Sequence, residues 1–420
     1  MQKITVFPSK LRGTIALPPS KSHTMRSLLF ASKAEGLSVI HNYLPSSDVF
    51  AMIKALQSFG IKIEIFKDRL VIKSPGHLKP AEKTVDAKNS GQILRFLGAF
   101  SSLLPSRTMF TGDQSICKNR PVKPLISAIR QLKGYAGSAE NIPLIIQGPI
   151  RPGHAEISGE DSQPVSGLLM AACFLNGTTA LSVKNPGEKP WIDLTLYWLK
   201  KFGAKVFHSD YKEYEIHGPL FYKGFEETVA GDLSSLAFSL AAALITRSEI
   251  QIINADLDDV QGDKKLIDIL IKMGAKIKYD KEKKILSVYK SHLKGCKIDV
   301  NPFIDSLPIL AVIACFAEGK TEIVNGAVAR KKESDRISSI ALELKKMQAN
   351  IKEKKDGLVI YPSLLKGTAL HSHFDHRIAT PLIIAALNAE GQSTINELFC
   401  IQKSYPSFIK DFQNLGAAIE

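Results

Sequence analysis

Hydrophobic positions along this chain fall into two phrases that recur from one end to the other. The first is a helix-period segment closed by a hydrophobic residue and glycine, followed by a strand, a polar turn and a second strand. It reads ALQSFGIKIEIFKDRLVI around Gly60, LKKFGAKVFHSDYKEYEI around Gly203, LIKMGAKIKYDKEKKILSV around Gly274 and LKKMQANIKEKKDGLVI around Gln348. A weaker copy surrounds Gly134 and a truncated one, FQNLGAAIE, surrounds Gly416, so that successive steps are 74, 69, 71, 74 and 68 residues. The second phrase is an apolar helix, a turn and a short strand: ASKAEGLSVIHN, FLNGTTALSVKN, FAEGKTEIVN and LNAEGQSTIN, with SSLLPSRTMFTG and ALITRSEIQIIN in the two gaps. Repetition at such a period marks a fold assembled from one supersecondary unit.

Each repeat is therefore expected to run helix, strand, helix, strand, turn, strand, strand. Glycine suits the helix ends because the left-handed conformation at C′ costs it nothing. Alternation in GTIALP, IEIFKDRLVI and HAEIS predicts half-buried strands. The apolar runs Leu307–Ala317 and Ile378–Leu387 predict buried helices. The sixth repeat stops after its second helix, whereas the chain opens with two spare strands, KITVFP and GTIALP. Residues 1–19 are thus expected to supply the strands that the sixth repeat lacks. That makes two three-repeat domains, 20–230 and 1–19 plus 231–420, with crossings near 19–20 and 230–231.

Composition adds limits. A chain of 420 residues with 45% apolar and 23% charged residues is long enough for more than one core and is not disordered in character. No apolar run reaches the ~18 residues of a membrane helix. The start, MQKITVFPSK, lacks the apolar core of a secretory signal. The five cysteines stand singly, with no CxxC pair, which fits a reducing cytoplasm and neither a disulfide framework nor a zinc ribbon. Formal net charge is +14. The lysines crowd into polar turns such as Tyr279–Lys284, and no stripe mixes arginine with aromatic residues as nucleic-acid sites do. Small anions are the expected partners instead.

The first helix of every repeat opens with a polar phrase: Ser20-Lys21-Ser22-His23-Thr24-Met25-Arg26, Asn89-Ser90-Gly91-Gln92-Ile93-Leu94-Arg95, Asp161-Ser162-Gln163, Gly231-Asp232-Leu233-Ser234-Ser235, Ile304-Asp305-Ser306 and Phe374-Asp375-His376-Arg377. Ser, Asn and Asp are natural N-caps, and capping suffices for Ser234 and Ser235. It does not account for Lys21, Arg26, Arg95 and Arg377, because a cation in the first turn opposes the helix dipole. Anionic ligands are expected to neutralise these cations, since helix N-termini and arginine forks both suit phosphates and carboxylates. If the repeats are arranged alike, the termini converge on one cleft. Two further basic phrases stand outside the helix starts: Lys118-Asn119-Arg120-Pro121, read as following a strand, and Arg330-Lys331-Lys332-Glu333-Ser334-Asp335-Arg336. Lys332, Glu333 and Arg336 are expected together on the first turn of a helix. Neither GxGxxG nor a P-loop is present, so dinucleotides and P-loop nucleotides have no support. His371, His373 and His376 read as solvent-facing or catalytic rather than as a metal site, and Cys117 as a small structural residue on a strand.

The phrases PSKSHTMR, NSGxxxRF, NRPVKPL, DSQ, KPWIDLT, GDLSS, QGD, KESDRI and DHRIA resemble, in order and interval across the whole chain, those of the 5-enolpyruvylshikimate-3-phosphate synthase family, with GEDSQ and EKPWIDLT closest to the chlamydial form. The resemblance implies an α/β (α+β) fold: a two-domain inside-out α/β barrel built from six βαβαββ repeats, three per domain. It implies transfer of the enolpyruvyl group of phosphoenolpyruvate to the 5-hydroxyl of shikimate 3-phosphate, in the shikimate pathway to aromatic amino acids, by a cytoplasmic monomer. No metal or organic cofactor and no nucleic acid or membrane is implied.

Carried over position by position, the resemblance gives shikimate 3-phosphate to Lys21, Ser22, Arg26, Ser162, Gln163, Asp305 and Lys332. Phosphoenolpyruvate goes to Lys21, Gly91, Arg120, Gln163, Arg336, Arg377 and Lys403. Asp305 is expected to be the base for the hydroxyl, and Glu333 or Lys21 the acid for the carbon. The chain departs from the family pattern at Asp161, where serine is usual, at Glu188 and Trp191, where Ser-x-Pro-Tyr is usual, at Gln92 for threonine and at Phe374 for asparagine. The acidic replacements would repel a phosphate.

Two alternatives are a transferase acting on UDP-N-acetylglucosamine and a non-catalytic basic repeat scaffold for nucleic acid. The first family carries a catalytic cysteine five residues before its Arg-Pro and opens its first helix with Lys-Asn. Here Cys117 lies three residues before Arg120, and the helix reads Lys-Ser. Cys117→Ser is therefore expected to keep its rate of phosphate release from phosphoenolpyruvate and shikimate 3-phosphate; complete inactivation would revive the sugar-nucleotide reading.

Overall fold

A computed structural model describes residues 3–420. Contacts within the chain gather into two compact units, Lys21–Val229 and the remainder, which joins the residues up to Ser20 to Ala230–Glu420.

In the Lys21–Val229 unit, three copies of the repeat each contribute four strands and two main helical segments, with a further short helix in the second copy. The first copy has helices Lys21–Ala31 and Ser47–Ser58 with strands Glu35–His41, Lys62–Ile65, Arg69–Pro75 and Val85–Asp86. The fourth strand of each copy leaves its own sheet and pairs in parallel with the first strand of the next: Val85–Asp86 with Arg107–Thr111, and His154–Ser158 with Gly177–Lys184. Glu226–Thr228 of the third copy returns to Glu35–His41 of the first, so the exchange of strands is cyclic. An aromatic cluster fills one side of this unit, with Trp198 stacked on Phe30 at 5.7 Å and Phe202 on Tyr222 at 4.3 Å.

The second unit repeats the plan. Its helices Leu233–Ile245, Leu307–Cys315 and His376–Ala386 are buried on every side and touch one another. Helices apolar all round are core helices. The second helices of the repeats are amphipathic instead: Lys265–Lys272 buries Leu266, Ile267 and Leu270, half-buries Ile269 and exposes its charged residues. The sixth repeat is completed from the other end of the chain. Lys3–Val6 pairs antiparallel with Ser393–Asn396, and Arg12–Ala16 pairs in parallel with Glu249–Ile253, the cyclic step that Glu226–Thr228 makes in the first unit. Residues 3–17 thereby bury Ile4, Val6, Leu11, Ile15 and Leu17.

Local detail departs from the sequence reading at several places. Gly60, Gly203, Gly274 and Gly416 take positive φ at helix ends as expected, but Gln348 adopts φ 68° in the same role, and in the weaker copy it is Lys133, not Gly134, that turns left-handed. The Asn89 phrase leads into a π-turn, Ile93–Leu97, before an α-helical turn at Gly98–Ser101. Cys117 and Arg120 do not follow a strand directly. A six-residue helix, Gln114–Asn119, intervenes because Asp113 caps it, accepting from the amides of Ser115 and Ile116.

Full burial of five aliphatic side chains is worth about 7–15 kcal/mol as an upper figure, comparable with the whole stability of a domain. We expect Ala230–Glu420 expressed without residues 1–20 to lack a cooperative thermal transition, and addition of the 1–20 peptide to restore one. An unchanged transition without the peptide would contradict the strand exchange.

Candidate active site

In the Lys21–Val229 unit the polar helix starts are cross-braced by acidic and hydroxyl groups from elsewhere in the chain. Lys21 opens its helix and lies 3.4 Å from the Asp48 carboxylate, which is itself buried. The carbonyl of Ser22 accepts from Arg26, whose Nε and NH2 also donate to the Thr195 hydroxyl at 3.1 and 2.9 Å and whose NH2 reaches the Trp191 carbonyl at 3.3 Å. The Arg26 guanidinium packs over Phe96, and burial brings its pKa down to about 9.

Arg95, fully buried, pairs with Asp161 at 3.1 Å and donates to Gln163 at 3.2 Å and to the Pro121 carbonyl at 3.2 Å. Asp161 at the same time caps the helix Ser162–Ala172 through the Gln163 amide. A side chain at Gly91 would come within 2.7 Å of Arg95, 2.8 Å of Gln163 and 3.4 Å of Arg120. The backbone at Gly91 is thus the point where these three polar groups meet, and a side chain there would displace the ends of Arg95 and Gln163. Glu188, with φ 47° just ahead of helix Lys189–Lys201, accepts from both the amide and the hydroxyl of Ser162, at 2.9 and 3.0 Å. The Cys117 thiol lies 3.9 Å from Glu140.

In the other unit the three buried helices begin side by side. Arg336 donates to Asp375 (2.8 Å), to Glu333 (2.6 Å) and to Asp305 (2.6 Å). Lys403 meets the other oxygen of Glu333 at 2.7 Å, and Arg377 stands 3.7 Å from Asp305. Lys332, buried, adds its charge to the surroundings of Asp305. Burial pushes the Asp305 carboxyl up, but Arg336, Arg377 and Lys332 outweigh it and hold the group well below the usual carboxylate range. Burial likewise opposes the charge on Arg336, and Asp375, Glu333 and Asp305 more than restore it.

The structure therefore gathers Gly91, Arg120 and Gln163 around Arg95, and gathers Asp305, Glu333, Arg336, Arg377, Lys332 and Lys403 into one network. Three expectations need correction. Three of the four first-turn cations have carboxylate neighbours of the protein's own, Asp48 for Lys21, Asp161 for Arg95 and Asp305 for Arg377, so their unfavourable dipole placement is offset before any ligand arrives, whereas Arg26 is held by a hydroxyl, two carbonyls and a ring. Lys332 and Glu333 lie ahead of helix Arg336–Lys346, which starts only after its cap Asp335, and not on its first turn. The cap of helix Leu233–Ile245 is Asp232, which receives the Ser234 amide, so the Ser234 hydroxyl is not the capping group. Asp48 was missed because a bracing residue carries no motif of its own, and Asp375 and Thr195, inside DHRIA and KPWIDLT, were given no bracing role. For Asp375 the N-cap position in DHR was the available signal.

Of the three histidines, His373 bonds the buried Glu343 at 2.8 Å. Among the described residues no group of three or more His, Cys, Asp or Glu side chains has a geometry that could hold a metal ion, and no helix is long and apolar enough to cross a membrane.

Residues 6–412 match the family model described as EPSP synthase (3-phosphoshikimate 1-carboxyvinyltransferase). The chain is 40% identical to the 3-phosphoshikimate 1-carboxyvinyltransferase of Chlamydia caviae over 99% of its length and 94% of the relative's. It is 39% identical to that of Ruminiclostridium cellulolyticum over 99% of both chains. The solved EPSP synthase of Acinetobacter baumannii superposes with a TM-score of 0.82 at 26% identity, covering 100% of this chain and 99% of that one. Six strand-exchanging repeats and buried arginine–carboxylate networks at their helix starts agree with those matches, and this chain belongs to the EPSP synthase family.

Proposed function

We propose that this chain transfers the enolpyruvyl group of phosphoenolpyruvate to the 5-hydroxyl of shikimate 3-phosphate, releasing phosphate. The observation that carries the reading is the network of Asp305, Glu333, Arg336, Arg377 and Lys403. It puts two carboxylates among three cations in a buried setting, which is what paired acid–base chemistry on a dianion requires.

Addition begins with a proton delivered to the methylene carbon of phosphoenolpyruvate, which makes its C2 electrophilic. The 5-hydroxyl gives its proton to a base as its oxygen bonds to C2, forming a tetrahedral ketal. Elimination reverses these roles: a methyl proton leaves, the C2–O bond to phosphate breaks, and phosphate departs. Asp305 is the base in this reading: its cationic neighbours keep it ionised, while the same neighbours lower its basicity. Glu333, braced by Arg336 and Lys403, or Lys21 is the carbon acid. Arg120, Arg336, Arg377 and Lys403 clamp the phosphoenolpyruvate charges, and Gly91 lets a ligand approach the backbone beside Gln163. Lys21, Ser22, Ser162, Gln163 and Lys332 take shikimate 3-phosphate, while Arg26 adds its charge from behind Ser22. The acidic replacement Asp161 has its charge taken up by Arg95, so its repulsion of a phosphate is muted. The same reading has a monomer at work in the cytoplasm on two small anions, without nucleic acid or membrane, in residue-specific domains 20–230 and 1–19 plus 231–420.

Phosphate release on mixing the protein with phosphoenolpyruvate and shikimate 3-phosphate tests the reaction; release with UDP-N-acetylglucosamine as acceptor instead would overturn it. Lys21→Ala and Arg120→Ala are expected to melt near the parent temperature and lose most activity, and near-parent turnover in either would sink the assignment of that residue. Asp305→Asn removes a general base and is expected to lower kcat by about 10²–10⁴. A loss confined to KM would move Asp305 from the chemistry to binding.

A further inference from the structure

One buried acid in the second unit has no part in the scheme above. Asp263 lies in the single turn Gly262–Lys264 and is 1% exposed. Its Oδ2 accepts the Ser234 hydroxyl at 2.9 Å. Among the described residues Oδ1 has no hydrogen-bond partner, although it is fully buried. Ser234 connects this acid to Arg377, because its carbonyl accepts from Arg377 NH1 at 3.2 Å. The rest of the guanidinium is lightly held. Its plane packs over Phe238, NH2 stands 3.7 Å from Asp305, and Nε is buried without a partner. Arg377 is thus placed by one carbonyl, one ring and the surrounding charges rather than by a close ion pair.

An ionised carboxylate with one bare buried oxygen is costly, and a protonated one with a single hydrogen bond is not. The charged groups around Asp263 are Arg377 on its helix, Asp232 ahead of the Ser234 helix, and Asp305 on the neighbouring turn. Burial raises the acid most, Arg377 opposes that, Asp305 raises it further, the Ser234 hydroxyl lowers it, and Asp232 raises it, leaving a pKa of about 7. The proton on Asp263 is therefore exchangeable at neutral pH.

We propose that Asp263 is a positioning residue for phosphoenolpyruvate: when protonated it supports Ser234 and leaves the Arg377 charge to the substrate, and when ionised it competes with the substrate's anionic groups for that same guanidinium. The inference rests on the reading that Arg377 holds phosphoenolpyruvate. Its linkage has a definite sign. An anion on Arg377 offsets the cation that favours ionised Asp263, so bound substrate raises the acid's proton affinity. Binding is then tightest below pH 7 and weakens as pH rises from about 7 toward the higher value of the bound state. Each unit of that rise corresponds to about a tenfold loss of affinity.

The test compares KM for phosphoenolpyruvate from pH 6 to 9 in the parent protein, Asp263→Asn and Arg377→Lys, with shikimate 3-phosphate saturating. Asp263→Asn keeps an acceptor for Ser234 and cannot ionise. Its KM is expected to stay low through pH 9, while the parent's climbs by up to about tenfold relative to it, with the difference carried by KM rather than kcat. Parallel parent and Asn profiles, alongside a raised KM in Arg377→Lys, would overturn the role of Asp263 and leave the substrate assignment standing. An unchanged KM in Arg377→Lys would overturn both. Should Asp263→Asn fail to fold, Ser234→Ala serves in its place: it strips ionised Asp263 of its only hydrogen bond, so the rise in KM must begin at a higher pH. A rise beginning at the parent's pH would overturn the proposal.

Discussion

A guanidinium at 1% exposure must be surrounded by counter-charge, and Arg336 meets that constraint with three carboxylates from three elements. Removing one member of such a buried network leaves an uncompensated charge, a change that typically costs several kcal/mol. Asp375 is at once a partner of Arg336, the cap of helix His376–Ala386 and the acceptor of the Ser334 hydroxyl. Glu333 is fixed on one side by Arg336 and on the other by Lys403. Under the proposed roles, the acids that would move protons are therefore oriented by the cations that would hold anions. The geometry of the candidate site follows from electroneutrality inside a low-dielectric core as much as from the ligands it serves.

That neutrality is possible only because the core helices begin together. Cyclic exchange of the fourth strand lays the three sheets of each unit around its first helices and brings their polar first turns to one end. Helix His376–Ala386 then carries His376 and Arg377 in its first turn, where Arg377 meets Ser234 and Asp305 of other repeats.

Much of this was legible in the sequence, for physical reasons that differ from element to element. The repeat was readable because a helix closed by a left-handed residue and a strand closed by a polar turn leave local signatures, strong enough that Gln348 could be aligned without its glycine. The borrowed strands were readable because the last repeat lacked what the first twenty residues had in excess. The basic helix starts were readable because they violate the dipole preference. Their internal partners were not: Asp48 sits 27 residues from Lys21 and Asp161 sits 66 from Arg95, and nothing local in either acid announces the pairing. The π-turn at Ile93–Leu97 and the short helix Gln114–Asn119 also escaped, although Asp113 ahead of the latter is a cap visible in the sequence. Asp263 stands in the QGD phrase with no role attached to it, and only its burial makes it chemically interesting.

The pairing of Lys3–Val6 with Ser393–Asn396 has a consequence in time. A ribosome adds about 5–20 residues per second, so the first strand made waits roughly 20–80 s for its partner to emerge. Within that interval, once Glu226–Thr228 has been made, Lys21–Val229 can close its own cycle of strands, because Glu226–Thr228 meets Glu35–His41 without any later residue. The second unit cannot: Arg12–Ala16 finds its partner once Glu249–Ile253 is made, but Lys3–Val6, carrying Ile4 and Val6, stays an unpaired edge until Ser393–Asn396 emerges. Pairing across nearly the whole chain is the slow kind, so the exposed N-terminal strands are the segment that most needs shielding while this protein is being made.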